Sequence, residues 1–182
     1  LKISSSITGN LEKDLNKMVS IIAENLLVSR VSIWFFNKAG DTLECKTLYS
    51  LKTKQYISET DIKDIDAPIY FKKIKTEESI VASYAEADIS TSEFVETYFK
   101  PLGIKSSLDT PIWFNGKISG ILCLEQIEKV RIWSENEQEF SASICGLISF
   151  SMEYNERKNT EKVLTEKQEL LNQAQNLARI GN

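Results

Sequence analysis

The chain has no histidine among its 182 residues. That absence removes the side chain that most often serves as general base and metal ligand near neutral pH. It excludes His-ligated haem, histidine-containing zinc sites and a phosphoaccepting histidine within this sequence. Cysteine is scarce. Cys45, Cys123 and Cys145 stand far apart, none in a CxxC spacing, and each sits in an apolar periodic stretch. Such usage fits a reducing, cytoplasmic compartment and gives a zinc site no ligand spacing. Long hydrophobic runs are missing: the most apolar N-terminal stretch, Met18 to Phe36, is broken by Glu24, Asn25 and Arg30. Nothing approaches the roughly 18 apolar residues of a membrane span, and no signal-peptide pattern opens the chain. A basic excess is lacking as well. Lys and Arg number 22 against 26 Asp and Glu, a net charge of -4, whereas nucleic-acid-binding domains usually carry a basic face. No internal repeat or low-complexity tract appears.

What is present is a 42% hydrophobic composition, enough for a substantial core, in a length that suits one domain plus an appendage. Running from Leu1 to Asn182, the chain reads as a piece of something longer. Leu11, Leu15, Met18, Val19, Ile22 and Leu26 recur at helical spacing, which predicts an amphipathic helix over 10–28. Arg30 to Phe36 alternates as a strand, with Val31, Ile33 and Phe35 on one face and Ser32, Trp34 and Phe36 on the other. Gly40-Asp41 marks a turn, and Thr42 to Tyr49 returns as a second strand. Residues 50–65 read as polar and turn-rich. Asp66-Ala67-Pro68 opens a helix ending near Thr76, with Asp66 as N-cap and Pro68 just inside. A short strand over Ser79–Tyr84 follows. Ser90-Thr91-Ser92-Glu93 fits a capping box for a helix that Gly103 ends.

The stretch from Tyr98 to Gln126 carries most information. Asn115-Gly116 between two apolar runs is the strongest short hairpin signal, because a type I′ turn needs positive φ at both central residues. Strands apolar on both faces need cover on both sides, and polar groups inside them need partners. The expectation is an antiparallel sheet with helices on one side and a lined cavity on the other. Trp133-Ser134-Glu135-Asn136-Glu137 gives a second capping box, followed by Phe140, Ile144, Leu147, Ile148 and Met152 striping a long helix. From Glu153 the charges alternate in sign, while Val163, Leu170 and Leu177, with Leu164, Leu171 and Ala178 beside them, repeat at seven. This suits a helix that pairs with a copy of itself, or one that packs on its own domain.

This order of elements resembles a GAF domain, a family of small-molecule sensor modules. The carrying residues are Arg30-Val31-Ser32-Ile33-Trp34; Asp66-x-Pro68; Tyr98-x-x-x-Leu102-Gly103-Ile104; Ser106-Ser107-Leu108; Pro111-Ile112; Gly116; Gly120-Ile121-Leu122-Cys123; and Trp133-Ser134-x-x-Glu137-Gln138. The resemblance covers about residues 10–152 and implies an α+β fold. It implies a sensor domain over 1–152, a coiled-coil-type signalling helix over 153–178, and at 179–182 the start of a following domain. There the run Asn176 to Gly181 resembles the opening of a PAS domain. The subtype is similar to GAF domains of bacterial sensor histidine kinases and cyclic-dinucleotide enzymes, which implies a homodimer through the terminal helices and a downstream output domain. Bilin-binding GAF domains of phytochromes share landmarks. Their pocket-lining positions, carried over, fall on Trp34, Asp66, Tyr98, Ser107, Asp109 and Glu125. Their chromophore-flanking histidines are absent, with Val95 and Glu125 at two of those positions, so neither bilin nor haem is expected and the ligand stays unknown. The Asn-Lys-x-Asp-Glu pattern of the cyclic-nucleotide subfamily is missing too.

With Asn115 and Gly116 as the loop, Phe114 opposes Lys117 and Trp113 opposes Ile118. A regular ladder then sets Pro111 against Gly120, Asp109 against Leu122 and Ser107 against Leu124. That register puts Ser107 and Asp109 on one face and Glu125 on the other, whereas the resemblance puts all three in the cavity; a β-bulge would reconcile them. Asp109, between Leu108 and Thr110, either meets a donor on a ligand or accepts backbone N–H bonds to buttress a loop. Trp34 and Tyr98 either stack a flat ligand or fill the core. Three functional readings follow: a non-catalytic sensory domain, a ligand-free dimerisation and linker module, and a cysteine-based methionine sulfoxide reductase, which would need an attacking and a resolving thiol close together.

Overall fold

The computed structural model describes residues 7–76 and 79–180 and, for residues 177–180, the backbone alone. Helix α1 spans Leu11–Leu26 and is capped by Asn10, whose side chain accepts from the Lys13 N–H. Strands β1 (Arg30–Phe36) and β2 (Thr42–Ser50) follow, then two short strands, β3 (Gln55–Ile57) and β4 (Ile62–Lys63), and a 3-10 turn over Asp64–Asp66. Helix α2 is Pro68–Ile74 and β5 is Ile80–Ala82. A 3-10 turn (Ile89–Phe94), a π turn (Val95–Phe99) and a single α turn, α3 (Lys100–Leu102), lead into the long hairpin of β6 (Ile104–Phe114) and β7 (Lys117–Ile127). Helix α4 runs from Glu135 to Ile180, 46 residues and about 70 Å long.

The strands form one antiparallel sheet in the order β3-β2-β1-β7-β6-β5, with β4 also pairing to β2. The architecture is the expected α+β arrangement. One face lies under α1 and the first part of α4. Leu15, Met18, Val19 and Ile22 from α1 meet Val31 and Ile33, Leu108 and Ile112, Leu122 and Leu124 from the sheet, and Ile144 and Ile148 from α4. Each such burial is worth roughly 1.5–3 kcal/mol. The other face packs Trp34, Ile121 and Cys123 against Tyr70, Phe71 and Ile74 of α2, and Ile104 against Phe99.

Several expected elements differ. The segment 50–65 contains β3 and β4, too short to leave an alternating pattern. Asp66 caps nothing: α2 starts after Ala67 with no side-chain cap. The Glu93 carboxylate fills that role instead, accepting from the N–H groups of Ile69 and Tyr70 at 3.0 Å each. Drawn away to α2, Glu93 makes no capping box with Ser90. Asp88 takes the capping position there, accepting from the Ser90 N–H. The predicted single helix before Gly103 is a string of unlike turns, and Pro101 within it lacks the N–H that a regular α ladder needs. The second capping box forms as read, with Ser134 N–H and hydroxyl donating to Glu137 at 2.9 and 2.8 Å.

The hairpin register carries the main correction. Phe114 pairs with Lys117 and Trp113 with Ile118, but a bulge then leaves Ser119 unpaired, and Ile112 meets Gly120. The pairs from Pro111 back to Ser106 move by one: Asp109 faces Cys123 and Ser107 faces Glu125. A one-residue slip exchanges the faces of a strand, so Ser107, Asp109 and Glu125 share the face away from α1. Gly120 permits the tight approach of β7 to β1 beside this bulge, since a Cβ there would sit 2.2 Å from the Trp34 carbonyl oxygen.

Helix α4 leaves the domain gradually. Ser151 donates to Asp14 at 3.0 Å, and Asn155 and Lys158 donate to the carbonyls of Gly9 and Thr8. Residues 156–176 are all exposed, including Val163, Leu164, Leu170 and Leu171. Beyond Lys158 the exit helix therefore does not pack on its own domain. The backbone stays helical through Ile180; Gly181 and Asn182, the end of the expected PAS-like start, lie outside the described residues.

Candidate functional site

The face opposite α1 encloses a chamber of about 30 Å³. Its floor is the sheet: Trp34 from β1, Ser107 and Asp109 from β6, Ile121, Cys123 and Glu125 from β7. Its roof is an aromatic cluster in which Phe94 lies 4.8 Å from Tyr70, 6.4 Å from Tyr98 and 6.0 Å from Phe99, centroid to centroid. The small volume has a plain cause. These rings fill most of the space between sheet and covering turns.

Outside the chamber lies a cleft of about 530 Å³, lined by Glu59, Asp61, Ile62, Lys63, Asp66 and Glu93 among others. Trp34, Ile62, Phe94 and Tyr98 line both spaces and so form the wall between them. Five of the six residues singled out in the sequence (Trp34, Tyr98, Ser107, Asp109, Glu125) meet at the chamber, and Asp66 lies in the outer cleft instead.

Two polar systems adjoin the chamber. In the first, Arg30 donates through Nε to Glu125 Oε2 at 2.8 Å, and through a terminal nitrogen to Glu59 Oε2 and the Tyr98 hydroxyl, each at 2.9 Å. Tyr98 in turn donates to Glu125 at 3.3 Å, and the guanidinium lies 5.6 Å from the Tyr98 ring centroid. Arg30 and Glu125 side chains are each only 6% exposed. Burial works against the Arg30 charge, but Glu125, Tyr98 and Glu59 outweigh it and raise its pKa. Burial likewise raises the Glu125 carboxyl above its ordinary value, against the pull of Arg30. A charge pair this dry holds only because both ends are multiply bonded.

The second system has no cation. Tyr70 donates to Asp109 Oδ2 at 3.0 Å, and the Cys123 thiol lies beside this carboxyl. Burial pushes Asp109 up to about 7, opposed by the neighbouring Cys123 thiol and the Tyr70 bond and assisted by the nearby Glu125 charge. Asp109 thus buttresses no loop through backbone N–H groups. Ser107 Oγ is buried without a hydrogen-bond partner, although most buried polar atoms have one. Trp34 Nε1 donates to Ser32 Oγ at 2.8 Å, so its ring packs the floor with its polar edge already satisfied.

Sequence reasoning missed Arg30, Glu59, Tyr70 and Phe94. A groove of about 460 Å³ beside the hairpin turn, lined by Lys38, Lys75, Trp113 and Lys117, is open to solvent. None of the unpartnered buried polar atoms among the described residues faces it. Those residues also hold no cluster of ligands suited to a metal ion, and none of their helices is long and apolar enough to cross a membrane.

The elements define an α+β domain with one antiparallel sheet, helices on one face and an aromatic-roofed chamber on the other. The GAF domain model matches residues 10–152, and the chain belongs to that family. Among solved structures it is similar to free methionine-R-sulfoxide reductase from Neisseria meningitidis in complex with its substrate, at 12% identity and a TM-score of 0.71, over 86% of this chain and 87% of that one. Residues 122 to 287 of a methyl-accepting chemotaxis protein align at 16% identity and 0.71, covering 86% and 98%. The phycocyanobilin-bound GAF domain of a cyanobacterial phytochrome aligns at 16% and 0.71, covering 86% and 95%. No protein of curated function matches the sequence. A sulfoxide reductase, a methyl-accepting chemotaxis protein and a phycocyanobilin-bound phytochrome domain share this fold, so the fold alone assigns no function.

Proposed function

We propose that this GAF domain is a non-catalytic sensory module that receives a small molecule in the chamber under Tyr98 and passes the signal along α4 to an output domain. One observation carries the reading. On the face away from α1, the sheet presents a buried carboxyl without a cation and a buried hydroxyl without a partner, next to a cleft that leads out. Such groups destabilise a core and persist where a ligand uses them. Ligand entry moves Tyr98, which is tied to Arg30 and Glu125 and so to β1 and β7. Those strands carry α1 and α4 on their other face, and α4 projects with Val163, Leu164, Leu170 and Leu171 exposed at heptad spacing. Two copies pair along that stripe, and the ligand shifts the balance between two arrangements of the pair. Almost full switching requires roughly 5 kcal/mol of differential affinity. A sensor histidine kinase or cyclic-dinucleotide enzyme of the cytoplasm, continuing into a PAS-like domain, is the setting that fits this exit helix.

A specific observation favours a second reading, the ligand-free dimerisation module: the chamber holds only about 30 Å³. The reductase reading lacks such support. Cys145, on α4, lies in the core of the helix-covered face while Cys123 lies on the opposite face, and burial pushes the thiols of Cys45 and Cys145 up to about 11 and about 12. Thiols held protonated are poor nucleophiles. Native mass spectrometry of the protein purified from its own host tests the proposal. A dimer carrying a small molecule is expected; a dimer that never carries one supports the second reading, and a monomer without ligand contradicts both.

A further inference from the structure

The chamber and its cleft share an imbalance of charge. Asp109 and Glu125 line the chamber, and Glu59, Asp61, Asp66 and Glu93 line the cleft. Lys63 is the one cationic lining residue among those described. Most of these carboxyl groups are engaged. Arg30 meets Glu125 and Glu59, two backbone N–H groups meet Glu93, and the Cys45 N–H meets Asp61. Asp109 is met only by neutral groups, the Tyr70 hydroxyl that donates to it and the Cys123 thiol beside it. Ser107, two residues before it on the same strand face, is 1% exposed and leaves its hydroxyl unbonded. In the cleft, Asp66 makes no hydrogen bond or ion pair with the described residues.

Size, sign and donor count select a ligand class. A volume of about 30 Å³ holds one or two water-sized groups, so only the head of a ligand fits while the rest lies in the cleft. Carboxylates repel an anionic head and gain little from an apolar one. An ammonium group carries three donors and no acceptor, which suits a hydroxyl without a partner beside a carboxyl met by neutral donors alone. We propose that the chamber binds the ammonium group of a small aliphatic amine, which donates to Asp109 and Ser107. The carbon chain then passes Tyr98, and in an α,ω-diamine the second ammonium meets Asp66. This rests on the sensory reading above and narrows it to a ligand class.

A second consequence follows from the burial of Asp109, which holds its carboxyl near 7. The groups facing it are Tyr70 from α2, and Cys123 and Glu125 from β7, with the Glu125 charge already met by Arg30. An ammonium stabilises the ionised carboxylate. Binding at pH 6 therefore expels close to one proton per amine, and at pH 8.5 close to none.

The test is calorimetric titration of the purified protein with 1,4-diaminobutane and n-butylamine, in two buffers of different ionisation enthalpy at each pH. Butyrate and n-butanol serve as controls. Both amines bind, the diamine more tightly, the controls are silent, and proton release falls between the two pH values. Saturation with the diamine at ten times its dissociation constant raises the thermal midpoint by about 3–6 °C. Ser107→Ala and Asp109→Asn each weaken both amines about tenfold or more, and Asp66→Asn weakens the diamine alone. Should Asp109→Asn fail to fold, Ser107→Ala carries the test. Amine binding that ignores both substitutions and releases no proton at pH 6 is surface attraction and overturns the inference. So does a chamber that holds water only, with silent amines and a neutral Ser107→Ala. If another compound from a host metabolite extract binds in an Asp109-dependent way while amines do not, the amine class falls and the sensory reading stands. If neither the parent nor Tyr98→Ala, which opens the wall, binds anything, both fall.

Discussion

The two faces of the sheet are built from the same four central strands and do opposite things with them. Under α1 and α4 the side chains are mostly apolar, with Val31, Ile33, Leu108, Ile112, Leu122 and Leu124 fully buried and the buried Thr110 hydroxyl among them hydrogen-bonded to Ser141 of α4 at 2.7 Å. One residue along each strand, the other face presents Arg30, Ser32, Ser107, Asp109 and Glu125, equally buried and polar. Apolar burial stabilises with no partner required, whereas each polar group needs one. The first face holds the fold. The second keeps ionisable groups dry, with their pKa values displaced, the pattern expected of a working site.

The largest effect should come from damaging the first face. Leu122→Ala removes side-chain volume from the core between β7 and the helices and should cost about 3 kcal/mol, read by chemical denaturation. On the second face, Glu125→Gln leaves Arg30 buried with Glu59 as its remaining carboxylate. A loss of about 2 kcal/mol is expected, less than for a fully orphaned charge. Replacing both partners together, Arg30→Met with Glu125→Leu, should recover most of that loss, which would mark the pair as specific to the site and not needed for folding.

Asp109 gives a pH signature. Its carboxyl is raised from 3.8 to about 7 in the folded protein, so between those values the folded state holds a proton that the unfolded state has released. Stability from this group is present in full below about pH 4 and is lost as pH rises to about 7, at no more than about 1.4 kcal/mol per pH unit. In Asp109→Asn that decline should vanish from denaturation curves recorded across the range. The smallest effect on the domain should come from Leu170→Glu on the exit helix, exposed and distant from both faces. Unfolding of the domain should change by less than about 0.5 kcal/mol, while self-association measured by sedimentation should be lost.

Local signals in the sequence were reliable where the structure uses them locally. The Ser134 capping box, the Asn115-Gly116 turn, the β1 alternation and the α1 stripe all formed. The hairpin register was not legible, because Ile118, Ile121, Leu122, Cys123 and Leu124 are apolar on both faces and a bulge at Ser119 leaves no break in such a run. Capping of α2 was misassigned to Asp66 because Glu93, the side chain that does it, lies 23 and 24 residues away from the N–H groups it binds. The role of Arg30 was hidden for a similar reason. Its carboxylate partners are 29 and 95 residues distant. The gathering of Ser107, Asp109 and Glu125 came through only by way of family resemblance; alternation alone had separated them.

The most direct measurement is the stability at pH 8 of the double variant Ser107→Ala with Asp109→Asn, determined by chemical denaturation in the absence of any added ligand. If the second face is kept for binding and not for folding, the variant is at least as stable as the parent, because it loses an unbonded hydroxyl and a buried charge. A loss of more than about 1 kcal/mol would show instead that these groups hold the fold together, and the division between the two faces would not stand.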